Sequence, residues 1–248
     1  MLKTVVTKCK MKTNVAIILA GGNGSRFGKN IPKQFTKVAG KEIIEYSTTT
    51  FLDIPEISKV VIVCHTNWIE HTKLLFQTKY PDKNIEIIEG GKTRFISSKN
   101  ALEHLEIGNV GNVLIHDAAR PMISKEIIKE CLKELQKHKA VTVAVPVKDT
   151  IIQVNGDIIS SIPNRNNMLL NQTPQCFDFH TIYPIYQQIN IIPEDSQLFL
   201  SDDCSVVLNH MDIKVVNGSN GNIKITHKND TVEMKNILEN CTKYSKIL

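Results

Sequence analysis

The chain has 248 residues, 42% apolar and 22% charged, with a formal net charge of +5. That length buries a sizeable core without disulfide or metal staples, and the cations are scattered rather than clustered, which argues against nucleic-acid binding. Cys9, Cys64, Cys131, Cys176, Cys204 and Cys241 form no CxxC pair and stand by no ligand-spaced histidines, so reduced thiols, a cytoplasmic location and no zinc site are expected.

Residues 1–13 are basic but lack a long apolar run, so they read as neither signal peptide nor membrane span. They are taken as an N-terminal extension, with Met11 an alternative start, and residues 14–248 as one domain. The run 15–19 predicts a first parallel strand buried on both faces. It empties into Gly21, Gly22 and Gly24, followed by Arg26 and, farther on, Lys33. Glycines let the backbone approach a ligand with its N–H groups outward, and the two cations add fixed positive charge, which together suit an anion such as phosphate.

A turn at Gly40 precedes a helix over 42–51, a strand over 60–64 and a helix over 68–80 that Pro81 ends. A strand over 85–88 stops at Gly90-Gly91; a helix over 93–105 leads to a strand over 113–115 that runs into His116-Asp117-Ala118-Ala119-Arg120-Pro121. Ser124 caps a helix over 125–138, and 140–145 is a further strand. Strands alternating with helices predict right-handed βαβ units, hence an α/β fold with an open, mostly parallel, Rossmann-like sheet and ligands at the carboxyl ends of its strands. The pattern then breaks. Asn155-Gly156 between the segments 148–154 and 157–162 is a hairpin signal. A hairpin alone is marginal, so an arm over 148–172 calls for something to pack on, such as a second subunit. Helices over 180–188, 201–210 and 230–238 and strands over 213–216 and 222–225 complete the chain.

Two common glycine loops fail on spacing. The dinucleotide fingerprint GxGxxG has Phe27 where its third glycine belongs, and the second strand ends in Cys64-His65 without an acid. The GxxxxGK[ST] loop has Asn23 five places before Gly28, and Asn30 after Lys29. A glycine loop with an arginine and a distant lysine suits attack at the α-phosphorus of a triphosphate, where catalysis rests on positioning and charge neutralisation. A Gly-rich turn with solvated cations is the bland alternative.

Taken together, LAGGNGSRFG with PKQ, GGKTRFIS, HDAARP, the DT pair, Arg165 followed eight residues later by TPQ, and NIKIT resemble the cytidylyltransferase family of the 2-C-methyl-D-erythritol 4-phosphate and D-ribitol 5-phosphate enzymes, over residues 15–238. The resemblance implies a fold of the nucleotide-diphospho-sugar transferase type, CTP and a polyol phosphate as substrates, Mg2+, and in-line transfer of CMP with release of pyrophosphate. It implies that Ala20, Gly21, Gly22, Gly24, Gly91 and Ser97 hold the nucleotide, that Arg26 and Lys33 stabilise the transition state, and that Lys224 adds a cation. Asp117, Arg120, Thr150, Arg165 and Thr173 would meet the acceptor, Asp117 also serving as metal ligand, with the arm crossing to a second subunit of a homodimer. Lys92 stands where some members place an acid. His116 reads as structural, since a phosphate nucleophile needs no histidine base, and Asp202 and Asp203 read as caps of the next helix.

Residues 166–171 hold no tryptophan, and Pro163-Asn164-Arg165 and Asp202-Asp203-Cys204 are spelled more like the ribitol-phosphate members. D-ribitol 5-phosphate, giving CDP-ribitol for surface polymers, is therefore the expected acceptor and 2-C-methyl-D-erythritol 4-phosphate the alternative. A sugar-phosphate nucleotidyltransferase using another nucleotide, and a non-catalytic nucleotide-binding module, stay open. No membrane partner is expected.

Overall fold

A computed structural model describes residues 13–22, 27, 31–105, 109–189, 200 and 202–244, the side chains of 240–244 excepted. Strand β1 (Thr13–Ala20) has no polar face, and it lies inside the sheet, parallel to β4 (Ile57–Cys64) on one side and β6 (Val110–Asp117) on the other. Strand β5 (Ile85–Glu89) extends the sheet beyond β4. On the other side β10 (Leu169–Asp178) runs antiparallel between β6 and β7 (Ala140–Pro146), and β11 (Lys214–Asn217) closes the far edge parallel to β7. The order is β11-β7-β10-β6-β1-β4-β5, an open, mostly parallel α/β sheet of seven strands.

Side chains alternate across a strand, so β1 feeds two cores. Ala16, Ile18 and Ala20 pack with α1 (Ile43–Leu52), α2 (Ile69–Lys79) and α4 (Lys125–Glu134) through Ile44, Phe51, Phe76 and Ile128. Val15, Ile17 and Leu19 pack on the opposite face with α3 (Arg94–His104), α5 (Phe179–Gln188) and α6 (Asp203–Val207) through Phe95, Leu102, Ile182, Tyr186 and Val206. Helix starts follow their caps: Thr93 accepts from the Ile96 amide and Ser124 from that of Ile127. The last helix, α7 (Lys228–Tyr244), sets Met234 against Ile43 and Ile225. Among the described residues no helix is long and apolar enough to cross a membrane.

Three elements differ from the sequence expectation. Strand β10 was not expected, because Pro174 has no N–H for a ladder; a register irregularity between Asn171 and Gln175 absorbs it. The segment 222–225 is no strand. It is pinned by the Ile225 amide on Ala119 O and by the Asn222 side chain on Gln172 Oε1 and Thr173 O. Lys37–Val38 (β2) and Lys41–Glu42 (β3) pair around Gly40, where only a turn was expected. The hairpin of β8 (Gln153–Asn155) and β9 (Ile158–Ser161) turns at Gly156, whose φ of +59° suits glycine, and its strands are shorter than the segments that predicted it. Residues 1–12 lie outside the described residues.

Candidate active site

The carboxyl ends of β1, β5 and β6 bring Ala20-Gly21-Gly22, Gly91 and Asp117 to one cavity of about 310 Å³. Ala20, Gly21, Gly22, Gly91, Lys33, Asp117 and Lys224 all line it, together with Arg94, which sequence reasoning missed. Gly24 and Arg26 lie outside the described residues. Lys33 opens a short 3-10 helix, Lys33–Phe35. That helix is tied to the glycine turn by Gln34, which is buried and donates Nε2 to Ala20 O at 2.6 Å and to Gly22 O at 3.0 Å. Phe35 then stacks on Trp68 with ring centroids 4.4 Å apart.

Ser97 is buried below this cavity rather than lining it. Its hydroxyl donates to Thr93 O at 2.9 Å and accepts from the Gly91 amide at 3.1 Å, so it shapes the glycine pair. Gly91 is required by close approach: a Cβ there would stand 2.1 Å from Ile96 Cγ2.

At the end of β6, Asp117 is divided between two cations. Oδ1 accepts from Arg94 Nε at 3.1 Å and Oδ2 from Lys224 Nζ at 2.7 Å. Burial alone would raise its pKa, but Arg94 and then Lys224 hold the carboxyl well below the usual range. An ammonium has three donors, and Lys224 gives one of them to Asp117. A second cavity of about 250 Å³, lined by Arg94, Asp117, Arg120, Thr173, Asp202 and Lys224 among others, shares this wall. The two cavities therefore meet at Arg94, Asp117 and Lys224.

Around the second cavity several expected ligand contacts are already engaged within the chain. Arg120 donates Nη1 to Asn222 O at 2.9 Å and Nη2 to Asn171 O at 3.3 Å, which joins β10 to the Lys224 segment. His116 Nε2 lies 2.9 Å from Arg120 O, an acceptor only, so that nitrogen carries the proton and Nδ1 accepts from the Thr173 hydroxyl at 3.1 Å. Thr173 Oγ1 in turn accepts from the Asp117 amide. Burial pushes His116 down to about 4, so it is neutral at physiological pH. Thr150 and Arg165 are exposed on the arm segment and line neither cavity; Arg165 donates Nη1 to Lys148 O.

The paired acids before α6 separate. Asp202 caps the helix by accepting from the Ser205 amide at 3.0 Å, as expected. Asp203 is no cap; it is fully buried and sits 2.7 Å from Arg94 Nη1. A cap uses one acid of such a pair, so the second acid, with Arg94 at the head of α3 just after the glycine pair, was the available signal. Free thiols stand at Cys64, Cys131, Cys176 and Cys204.

Magnesium takes six oxygens and is usually held by one or two carboxylates together with phosphates and water. Asp117 is the one carboxylate lining the first cavity, and both its oxygens are in ion pairs. Among the described residues no group of three or more His, Cys, Asp or Glu is placed to hold a metal. The described residues do not make a resident metal centre by themselves; Asp117 fits a magnesium only as one ligand beside triphosphate oxygens and water.

The profile of the family described as IspD, 2-C-methyl-D-erythritol 4-phosphate cytidylyltransferase, matches residues 14–240. A 2-C-methyl-D-erythritol 4-phosphate cytidylyltransferase of Thermosipho melanesiensis is 41% identical over 88% of this chain and 94% of its own length. A bifunctional ribulose 5-phosphate reductase/CDP-ribitol pyrophosphorylase of Haemophilus influenzae is 39% identical over 88% of this chain, which spans 46% of that protein. The solved 4-diphosphocytidyl-2C-methyl-D-erythritol synthase of Anaerococcus prevotii superposes with a TM-score of 0.79 at 30% identity, over 92% of this chain and 99% of its own. The 2-C-methyl-D-erythritol 4-phosphate cytidylyltransferase of Francisella tularensis does so with 0.75 at 28%, over 90% and 98%.

Proposed function

Because the chain belongs to the IspD family of cytidylyltransferases and is a nucleotidyltransferase, we propose that it transfers CMP from CTP to 2-C-methyl-D-erythritol 4-phosphate. The observation that carries this is the pair of cavities meeting at Asp117, with a glycine-lined wall on one side and cations on the shared one. In-line displacement needs the nucleotide in one chamber, the acceptor phosphate in the other, and the α-phosphorus between them. An acceptor phosphate oxygen attacks the α-phosphorus, the bond to the β-phosphate oxygen breaks, and pyrophosphate leaves.

The nucleophile is anionic at neutral pH, so no base is required. Lys33, with Arg26 as the family resemblance implies, neutralises charge moving onto the pyrophosphate, and Lys224 holds the incoming phosphate. Asp117 keeps Lys224 in place, and Arg120 with Thr173 shapes the acceptor chamber. A divalent cation carried on the triphosphate would add to this neutralisation, with Asp117 the carboxylate of the cavity nearest to serve it.

The names of the relatives favour methylerythritol phosphate over the ribitol phosphate expected from residues 163–171 and 202–204. D-ribitol 5-phosphate is kept as a second reading because of the Haemophilus relative, which is nearly as similar. We further infer a homodimer in which the arm brings Thr150 and Arg165 to the partner's acceptor chamber, since both lie outside the cavities of their own chain.

Pyrophosphate release from CTP, UTP, GTP and ATP with each of the two polyol phosphates tests the reading. Turnover with CTP and methylerythritol phosphate is expected. Equal turnover with the other nucleotides would overturn the cytidylyl assignment, and faster turnover with ribitol phosphate would reverse the acceptor.

A further inference from the structure

Asp203 has no solvent exposure, yet nothing in helix capping accounts for it. Its Oδ1 accepts the Tyr186 hydroxyl at 2.5 Å, its Oδ2 lies 2.7 Å from Arg94 Nη1, and its amide donates to Gln175 Oε1 at 2.8 Å. Desolvating a carboxylate costs several kcal/mol unless an opposite charge stands beside it; Arg94 is that charge, its Nη1 close to Oδ2 but outside hydrogen-bond alignment, with Asp203 Oδ2 and Arg94 Nη2 both buried without a hydrogen-bond partner. With Nη1 drawn to Asp203, the planar guanidinium turns its Nε to Asp117 Oδ1, 3.1 Å away. The adjacent Phe95 stacks on Tyr186 with centroids 4.9 Å apart, which holds the head of α3 against α5. The series Tyr186, Asp203, Arg94, Asp117, Lys224 thus runs from the buried face of α5 to the wall between the cavities, and its two acids balance its two cations.

We propose that Asp203 is a positioning residue for nucleotidyl transfer: it locks the Arg94 guanidinium so that Arg94 and Lys224 together hold the Asp117 carboxylate at the wall shared by the two cavities. The inference rests on the transfer reading above. It gives a task to a buried acid that touches neither cavity, and it makes the orientation of Lys224 depend on a residue three contacts away.

Asp203→Asn keeps an acceptor for Tyr186 but removes the charge that Arg94 faces. With wild type turning over CTP and either acceptor, the variant should lose about tenfold or more in kcat while KM for CTP moves less than about threefold. Arg94→Lys, which keeps charge but not the fork, should show the same split, and the double variant should be no worse than either single one. Tyr186→Phe, a milder change, should lower kcat roughly threefold with KM unchanged, and serves should Asp203→Asn not fold. In 15N-edited NMR without substrate, the Arg94 Nε–H signal should be slow to exchange in wild type and lose that protection in Asp203→Asn. Unchanged kcat per folded molecule with only a lower Tm, or an Arg94 signal indifferent to Asp203, would overturn the proposal while wild-type turnover persists. Wild type that releases no pyrophosphate overturns the transfer reading itself.

Discussion

Lys224 shows how much a single side chain carries here. It lies in an irregular segment, half exposed, with its ammonium on Asp117 Oδ2, and it borders both cavities. Lys224→Ala removes the donor for the incoming phosphate and leaves a carboxylate oxygen unpaired, so kcat should fall roughly 100- to 1,000-fold, as for loss of one preorganised donor; steady-state pyrophosphate release measures it. Gly91→Ala acts sterically. A Cβ 2.1 Å from Ile96 Cγ2 and 2.5 Å from Ile96 Cβ meets a β-branched side chain that cannot swing away. Overpacking of this kind costs about 1–3 kcal/mol, so the Tm should drop and KM for CTP should rise, while kcat at saturation is largely kept. Asp117 and Gly91 were legible in the sequence because each stands just past an apolar run, where a strand's carboxyl end presents what comes next, and Lys33 because it is a cation shortly after the glycine loop. Arg94 and Asp203 were not, because the one sign of them, a spare acid beside a cap and an arginine after the glycine pair, does not show that the two meet across α3 and α6.

Elements were legible in proportion to their periodicity. The parallel strands are short apolar runs rich in β-branched residues and several helices carry caps, so their positions followed from pattern, whereas β10 contains Pro174 and polar residues and takes its place only because β6 and β7 leave a ladder open between them. One link between elements carries a prediction. Gln34 joins the 3-10 helix of Lys33 to the end of β1 through two backbone carbonyls. Gln34→Glu sets a buried carboxylate oxygen against those carbonyls in place of a donor, which should destabilise the fold by about 1–3 kcal/mol and free the lysine segment from the glycine turn. Tryptophan fluorescence offers a local readout, since Trp68 is the chain's sole tryptophan and stacks on Phe35 beside that segment. Its response to CTP should shift to higher nucleotide concentration in the variant, and an unchanged midpoint would show that the glycine turn holds Lys33 without Gln34.

At the scale of the whole molecule, acid stability follows from buried contacts and the proposed assembly from exposed ones. Folded His116 stays neutral down to about pH 4 through burial, whereas an unfolded histidine takes up its proton near pH 6.5. Between those values the unfolded chain binds more protons, so folding loses stability as pH falls from 6.5, by about 3 kcal/mol at the lower end. Asp117 is held well below the usual carboxylate range and stays ionised in the fold, so it adds to the loss only below about pH 5, where the unfolded carboxyl begins to take up a proton. Urea unfolding at stepped pH should show the loss, and His116→Asn should flatten it. The proposed dimer rests on the hairpin, whose strands carry Val154, Ile158 and Ile159 and are followed by Ile162, all at least half exposed. Two short strands with bare apolar side chains need a partner surface, and a second copy satisfies both them and the acceptor chamber that Arg165 does not reach in its own chain. The chain should therefore sediment at twice 27.9 kDa, and Ile158→Asp with Ile162→Asp should give a monomer without turnover. Complementation then separates assembly from chemistry. Arg165→Ala and Lys224→Ala should each be inactive alone. Mixed in equal amounts and re-equilibrated, half of the dimers are mixed, and if Arg165 serves the partner's site each mixed dimer has one site with both defects and one with neither. Roughly a quarter of wild-type activity should return. No recovery from a mixture shown by native mass spectrometry to contain mixed dimers would mean that Arg165 serves its own subunit.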